Sequence, residues 1–221
     1  MSKRMYIALA LVVFLFTSFA EIITEPHIIP MPVQYGEERC KLSLEYLKIR
    51  HGLVQVRPTI VPKFIVLHYT AGGTLHSNYN YFNKAKIEAA RSFNKSQSEL
   101  NVSAHYIVDR DGKIYRLIPD SLFARHTIGL NYCAIGVENI GSKAEPLTTA
   151  QVEANAQLVR YLHATHNIEF LIGHHEYGRF RNTVYWKETN PQYFTGKEDP
   201  GAEFMKQVRL LLTDLNLKSI P

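Results

Sequence analysis

The sequence is sparing with several features that would otherwise decide its class. It has two cysteines in 221 residues, Cys40 and Cys133, so one disulfide is the most it can form. In an oxidising compartment that bond would tie the N-terminal part to the core, and two separately buried thiols fit the sequence equally well. Lys and Arg are nowhere densely clustered with interleaved aromatics, which sets nucleic acid aside as a partner. No apolar stretch reaches the ~20 residues of a membrane-spanning helix. The run from Met5 to Phe16 comes nearest, and no cysteine follows it closely enough to carry a lipid. Internal repeats and low-complexity segments are absent too.

What the first twenty residues do contain reads as an export signal. Lys3 and Arg4 precede the apolar run, and Ser18 and Ala20 are small residues placed for cleavage after Ala20. The expectation is a signal peptide over residues 1–20, a secreted protein in the periplasm or outside the cell, and no membrane span once the signal is cleaved. The rest has the length for one well-buried domain with a short extension. The 46% apolar and 20% charged residues of the full sequence are ordinary globular composition. The formal charge of +5 becomes +3 without Lys3 and Arg4, since no acidic residue precedes Glu21. That mild excess suits an anionic partner, such as a cell-wall polymer or lipid headgroups, without choosing among them.

Residues 21–62 are punctuated by Pro26, Pro30, Pro32, Pro58 and Pro62, with one amphipathic stretch near Leu42–Ile49. They read as an extension packed against a domain over 63–217. That domain opens with "FIVLHYT", a short apolar run suited to a buried strand. Tyr79 to Phe93 carries apolar and aromatic residues at helical spacing. "SAHYIVDRDGKIYRLI" is a pair of β-rich runs turning at Asp111-Gly112, and "AIGVENI" and "IEFLIGHH" are further strands. Thr148 and Gln151 have capping-box spacing ahead of a helix with Val152, Ala156, Val159 and Leu162 on one face. A last helix opens near Asp199 as N-cap and Pro200 as first residue, with Phe204, Val208, Leu211 and Leu215 on its apolar stripe. The expected class is α/β: a mixed central β-sheet flanked by helices, in a single domain with an N-terminal extension.

In such sheets binding groups gather where strands end. His68 closes "FIVLH", and His174-His175 closes "FLIGHH". Either position alone is better explained by a hydrogen-bonded residue at a strand terminus. An acidic third member changes the chemistry, because a catalytic zinc takes three protein groups, commonly imidazole and carboxylate, plus a water. His68, His174 and Asp199 would supply that set from two strand ends and one loop. Glu138 is a lone acid among Val and Ile in "AIGVENI", costly to bury without a purpose. Glu176 sits close to His174 as a rival base. Lys197 stands at a helix start, where a cation gains nothing from the macrodipole.

Taken in order, "FIVLHYTAGG", "NVSAHYIVDRDGKIYRLI", "FARHTIGLNYCAIGVENIG", "LIGHHEYG" and "KEDPGAEF" resemble the zinc-dependent N-acetylmuramoyl-L-alanine amidases. That family includes bacteriophage T7 lysozyme and is related to the peptidoglycan recognition proteins. The resemblance runs from about Pro62 to Leu215. It implies zinc held by His68, His174 and Asp199, with His174 preferred to His175 because the family's ligand directly follows the glycine, here Gly173. His175 would then point to the opposite side if the strand stayed extended. The resemblance further implies Glu138 as catalytic base and Lys197 as stabiliser of a tetrahedral oxyanion. It makes His126 and Asn131 of "ARHTIGLN" substrate contacts, and peptidoglycan or muropeptide the substrate, cut between N-acetylmuramic acid and L-alanine. The alternative is a non-catalytic peptidoglycan-binding module of the same fold, although such relatives usually lose a zinc ligand and all three positions are filled here. His105 falls in a recurring block where packing is an equal explanation. Ala104 stands where some relatives carry a tyrosine, which favours a mechanism through Glu138. One departure is plain: the segment between His174 and Asp199 is longer than in many relatives, rich in aromatic and basic residues, and holds the only tryptophan, Trp186. It would either line the groove or close over a small core of its own.

Overall fold

The computed structural model describes residues 25–221, so the expected signal peptide lies outside the described residues. Six strands form one sheet: β1 (Ile28–Pro30), β2 (Phe64–Tyr69), β3 (Tyr106–Val108), β4 (Ile114–Arg116), β5 (Ala134–Asn139) and β6 (Phe170–Gly173). Their order across the sheet is β1-β4-β3-β5-β2-β6. β3 and β4 pair antiparallel, and the other neighbours run parallel. Five helices accompany them: α1 (Glu37–His51), α2 (Leu75–Asn83), α3 (Ser92–Gln97), α4 (Thr149–Thr165) and α5 (Ala202–Leu210). The mixed sheet flanked by helices in a single domain is the architecture expected from the sequence.

The unbroken apolar character of β2 follows from having both faces covered. Phe64 and Val66 face Leu42, Tyr46 and Leu47 of α1, together with Phe170, Ile172 and Phe180. Ile65 and Leu67 face the other way, into a core completed by Val159 and Leu162 of α4 and Met205 and Val208 of α5. Residues 28–51 therefore supply a sheet-edge strand, β1 beside β4, and the helix covering one face. The capping box at the start of α4 forms as its spacing predicts, with Thr148 and Gln151 each accepting the other's backbone N–H. The predicted face of α4 is the buried one.

Four expectations need correction. Tyr79 to Phe93 is not one helix: α2 ends at Asn83, and α3 begins only at Ser92. The backbone between them is captured by an extended pairing, in which Asn101 N–H donates to Ala85 and Ile87 N–H to Glu99. At the C-terminal end, α5 begins at Ala202 behind Gly201, whose φ of +99° a glycine adopts without strain. Asp199 is thus not its N-cap and Pro200 is not its first residue. Because α5 stops at Leu210, the chain turns and buries Leu212, leaving Leu211 48% exposed. The strand does not stay extended past Gly173, since His174–Phe180 winds into a 3-10 helix. Both cysteines are free, Cys133 buried and Cys40 half-buried. Among the described residues no helix is long and apolar enough to cross a membrane.

Candidate metal centre and its cleft

β6, β2 and β5 lie side by side and parallel, so their C-terminal ends open along one edge, where ligands of such sheets bind. His68, near the end of β2, is in register with Glu138 of β5, and His174 directly follows the last residue of β6. Asp199 enters from the loop before α5. The His68 and His174 Nδ1 atoms stand 3.0 Å apart, and Asp199 Oδ2 lies 3.2 Å from the first and 3.0 Å from the second. All three side chains are buried.

Three lone-pair atoms this close, two imidazole nitrogens and a carboxylate oxygen, form a donor set with the dimensions of one tetrahedral face. Ligands ~2.0–2.1 Å from a tetrahedral zinc stand about 3.3 Å from one another. The residues therefore fit the ion, and they are the one group of this kind among the described residues. Electrostatics agree. Burial, then the charge of His68, brings His174 down to about 4, so its imidazole is neutral near pH 7. Burial would lift Asp199, but the imidazoles of His174 and His68 beside its carboxylate hold it well below the carboxylate range, as an anion.

The donors are braced from behind. The His68 carbonyl accepts from Asn139 Nδ2 (3.0 Å), and Asn139 Oδ1 accepts from Asn155 Nδ2 of α4 (2.6 Å). The Asp199 carbonyl accepts from the His175 N–H (2.9 Å) and lies 3.1 Å from its Nδ1. The His175 ring rests over Gly173, where a Cβ would come within 2.7 Å of it. His175 thus holds the Asp199 backbone, while His174 meets its carboxylate.

The centre opens into a cleft of about 220 Å³, which Glu138 and Lys197 also line. Glu138 Oε2 is buried with no hydrogen-bond partner. Burial pushes this carboxyl up to about 7; the charges of His68 and Lys197 pull against that, and Asp199 adds to it. Lys197 is exposed on the cleft wall. His126 and Asn131 also border the cleft, with their polar atoms turned inward. His126 Nδ1 lies 3.2 Å from His68 Nε2, and its Nε2 lies 3.1 Å from the Ala134 carbonyl. Asn131 is fully buried, and its Oδ1 accepts from the backbone N–H of His126 and Thr127.

Glu176 is no rival base. Its carboxylate pairs with Arg209 and Arg179 and accepts from Gly173 N–H. Burial raises its pKa, but Arg209 and Gly173 outweigh that and hold it below the ordinary value. His105 is a structural residue: it accepts from Gly136 N–H and donates to the Leu122 carbonyl.

The cleft is also lined by residues that sequence reasoning missed: Tyr81, Arg91, Asn94 and Arg125. Arg125 is only 2% exposed and donates to the carbonyls of Asn94, Ser98 and Leu100 and to the Tyr193 hydroxyl. Its place directly before His126 in "ARHTIGLN" was the available signal. The long segment before Asp199 does both things expected of it. Tyr177, Trp186 and Phe194 pack together, and Glu188 pairs with Arg50 of α1 at 2.6 Å. Its later residues Tyr193, Thr195 and Lys197 then line the cleft.

With this geometry in hand, comparison with known proteins is specific. The family model described as "N-acetylmuramoyl-L-alanine amidase" matches residues 57–202. Mouse peptidoglycan recognition protein 3 is 25% identical over 100 residues, which are 44% of this chain, and the match spans 28% of that protein's length. Among solved structures, the N-acetylmuramoyl-L-alanine amidase LysC from Clostridium intestinale superposes with a TM-score of 0.51 at 20% identity, covering 87% of this chain and 99% of its own. AmpD gives 0.51 at 20% identity over 86% and 96% of the two chains. Bumblebee PGRP-SA gives 0.52 at 14% identity over 89% and 99%. At those identities the likeness is one of fold, which amidases and recognition proteins share. The match over residues 57–202 decides the family, and this chain belongs to the N-acetylmuramoyl-L-alanine amidase family Amidase_2.

Proposed function

We propose that the chain is an exported, zinc-dependent amidase acting in the periplasm or outside the cell. It hydrolyses the bond between the lactyl group of N-acetylmuramic acid and L-alanine, in peptidoglycan or in muropeptides derived from it. The observation that carries this reading is the convergence of His68 Nδ1, His174 Nδ1 and Asp199 Oδ2 beside the unpartnered Glu138 Oε2 in one cleft. Zinc held by His68, His174 and Asp199 supplies Lewis-acid activation of water and of the scissile carbonyl.

The chain's own side chains supply the rest. Glu138 Oε2, bound to no other protein group, takes the proton released by the attacking water and returns it to the nitrogen of the departing L-alanine. A carboxyl lifted to about 7 exchanges a proton readily near neutrality. Lys197 places positive charge on the cleft wall, where the carbonyl oxygen gathers negative charge during attack. Asn131 serves the substrate indirectly, by fixing the His126–Thr127 backbone that forms the wall.

Incubating the purified protein with peptidoglycan and resolving the products by mass spectrometry tests this. Free stem peptides should appear, and a chelator should abolish them. Glycopeptides left intact by a folded, zinc-loaded protein would overturn hydrolysis in favour of binding alone. Cleavage at another amide would show in the product masses.

A further inference from the structure

His126 is half-buried between the metal donors and strand β5, and neither of its ring nitrogens faces the open cleft unoccupied. Nε2 lies 3.1 Å from the carbonyl of Ala134, a group that can only accept. The proton of a neutral His126 ring must therefore sit on Nε2, which leaves Nδ1 as an acceptor. Facing Nδ1 are His68 Nε2 at 3.2 Å and Thr127 Oγ1 at 2.9 Å, and Thr127 Oγ1 is itself 3.5 Å from His68 Nε2. The directions then follow. Thr127 donates its hydroxyl proton to His126 Nδ1, and His68 donates from Nε2 into the same pair, towards His126 Nδ1 and the Thr127 oxygen, so that its Nδ1 lone pair is left pointing at His174 and Asp199.

The setting of the ring is built for this. His126 packs directly over Gly136 of β5, where a Cβ would come within 2.6 Å of the ring. Its backbone N–H is held by Asn131 Oδ1 at 2.8 Å. A glycine inside a strand marks a place where another group approaches the backbone closely, and here that group is this imidazole.

We propose that His126 is a positioning residue for the metal centre: through the chain Ala134 carbonyl, His126, His68 it fixes the tautomer and ring orientation that present His68 Nδ1 to the ion. The proposal rests on the zinc reading above but does not require the chain to hydrolyse anything. Partners behind a metal-bound imidazole typically govern affinity by roughly 10- to 100-fold.

Zinc affinity, measured by chelator competition without substrate, is the first readout. His126→Leu should weaken zinc by roughly 10- to 100-fold. His126→Asn, of similar size and with an oxygen able to accept near the Nδ1 position, should recover most of that loss. A ring that mattered only for packing would tolerate Leu at least as well as Asn, and a ring that mattered only for substrate would leave zinc affinity unchanged in both. Either result overturns the proposal. Gly136→Ala should weaken zinc as well, by pushing the ring away.

The second readout needs no variant. In the zinc-loaded wild-type protein, imidazole nitrogen NMR should show His126 protonated at Nε2 and a slowly exchanging His68 Nε2 proton. His126 protonated at Nδ1 instead would sink the assignment even if His126→Leu failed to fold. Zinc binding and tautomers as expected, with no turnover of peptidoglycan, would overturn the amidase reading and leave this one standing. A wild-type chain that binds no zinc overturns both.

Discussion

At the scale of single residues, the roles proposed for Glu138 and Asp199 separate cleanly. Glu138 contributes no donor to the triad, so Glu138→Ala should retain zinc and lose turnover by about 10²- to 10⁴-fold, the usual worth of a positioned acid–base group. Asp199→Ala removes one of three donors and should lose zinc and turnover together. Metal content measured alongside muropeptide digestion distinguishes them, and a Glu138 variant that lost zinc would remove the case for an independent proton carrier. The histidines at the ends of apolar strands and Glu138 inside one were legible in the sequence because each is chemically out of place, whereas Asp199 taken alone read as a helix N-cap. Their supports were not legible. Asn139 and Asn155 meet only because α4 lies across the end of β5, and nothing in "VEANAQ" distinguishes an asparagine facing a partner from one facing water. A faint signal did exist in the strand glycines, since Gly136 and Gly173 make room for the rings of His126 and His175.

At the scale of elements, the strands and α4 were readable because periodicity and caps are local properties. The break between α2 and α3 and the late start of α5 were not, because both depend on backbone partners far along the chain or on a glycine's positive φ. The same holds for the contact that fastens α1 to the long segment before Asp199. Arg50 Nε and Nη2 both reach Glu188 Oε1, with side chains 8% and 1% exposed, and Arg50 Nη1 also holds Gln97. Removing one member of so buried a pair strands the other charge. Arg50→Met should therefore destabilise the fold by roughly 3–5 kcal/mol. Replacing both members, as Arg50→Met with Glu188→Leu, should restore much of the loss, since an apolar pair of similar volume needs no desolvation of charge. Denaturant unfolding of the two singles and the double variant measures the coupling. A double variant as unstable as the sum of the singles would show that the pair is not what couples α1 to this segment.

At the scale of the whole molecule, two buried histidines that are not metal donors make the fold sensitive to acid. Burial brings His51 and His105 each down to about 4, partly offset by hydrogen bonds to the carbonyls of Lys187 and Leu122. A histidine depressed in the folded state binds protons more readily when unfolded, so the unfolded chain takes up protons first and stability rises with pH. The contribution is complete above the ordinary value near 6.5 and is lost as pH falls from there to about 4. A shift of this size is worth roughly 3 kcal/mol for each histidine, enough to consume much of a domain's margin of about 5–15 kcal/mol. His51 offers the clearer test, because its ring packs between Tyr46, Phe123 and Tyr132 and its Nε2 is buried without a partner. His51→Phe keeps the packing and gives up the contact with the Lys187 carbonyl, which should cost about 1 kcal/mol at pH 7.5. Phenylalanine cannot be protonated, so the variant escapes the loss that wild type suffers on acidification. With equal zinc loading, unfolding free energies measured from pH 7.5 to 4 should converge and then cross, leaving the variant the more stable protein at the acid end. A gap that stayed constant across that range would place the acid sensitivity elsewhere in the fold.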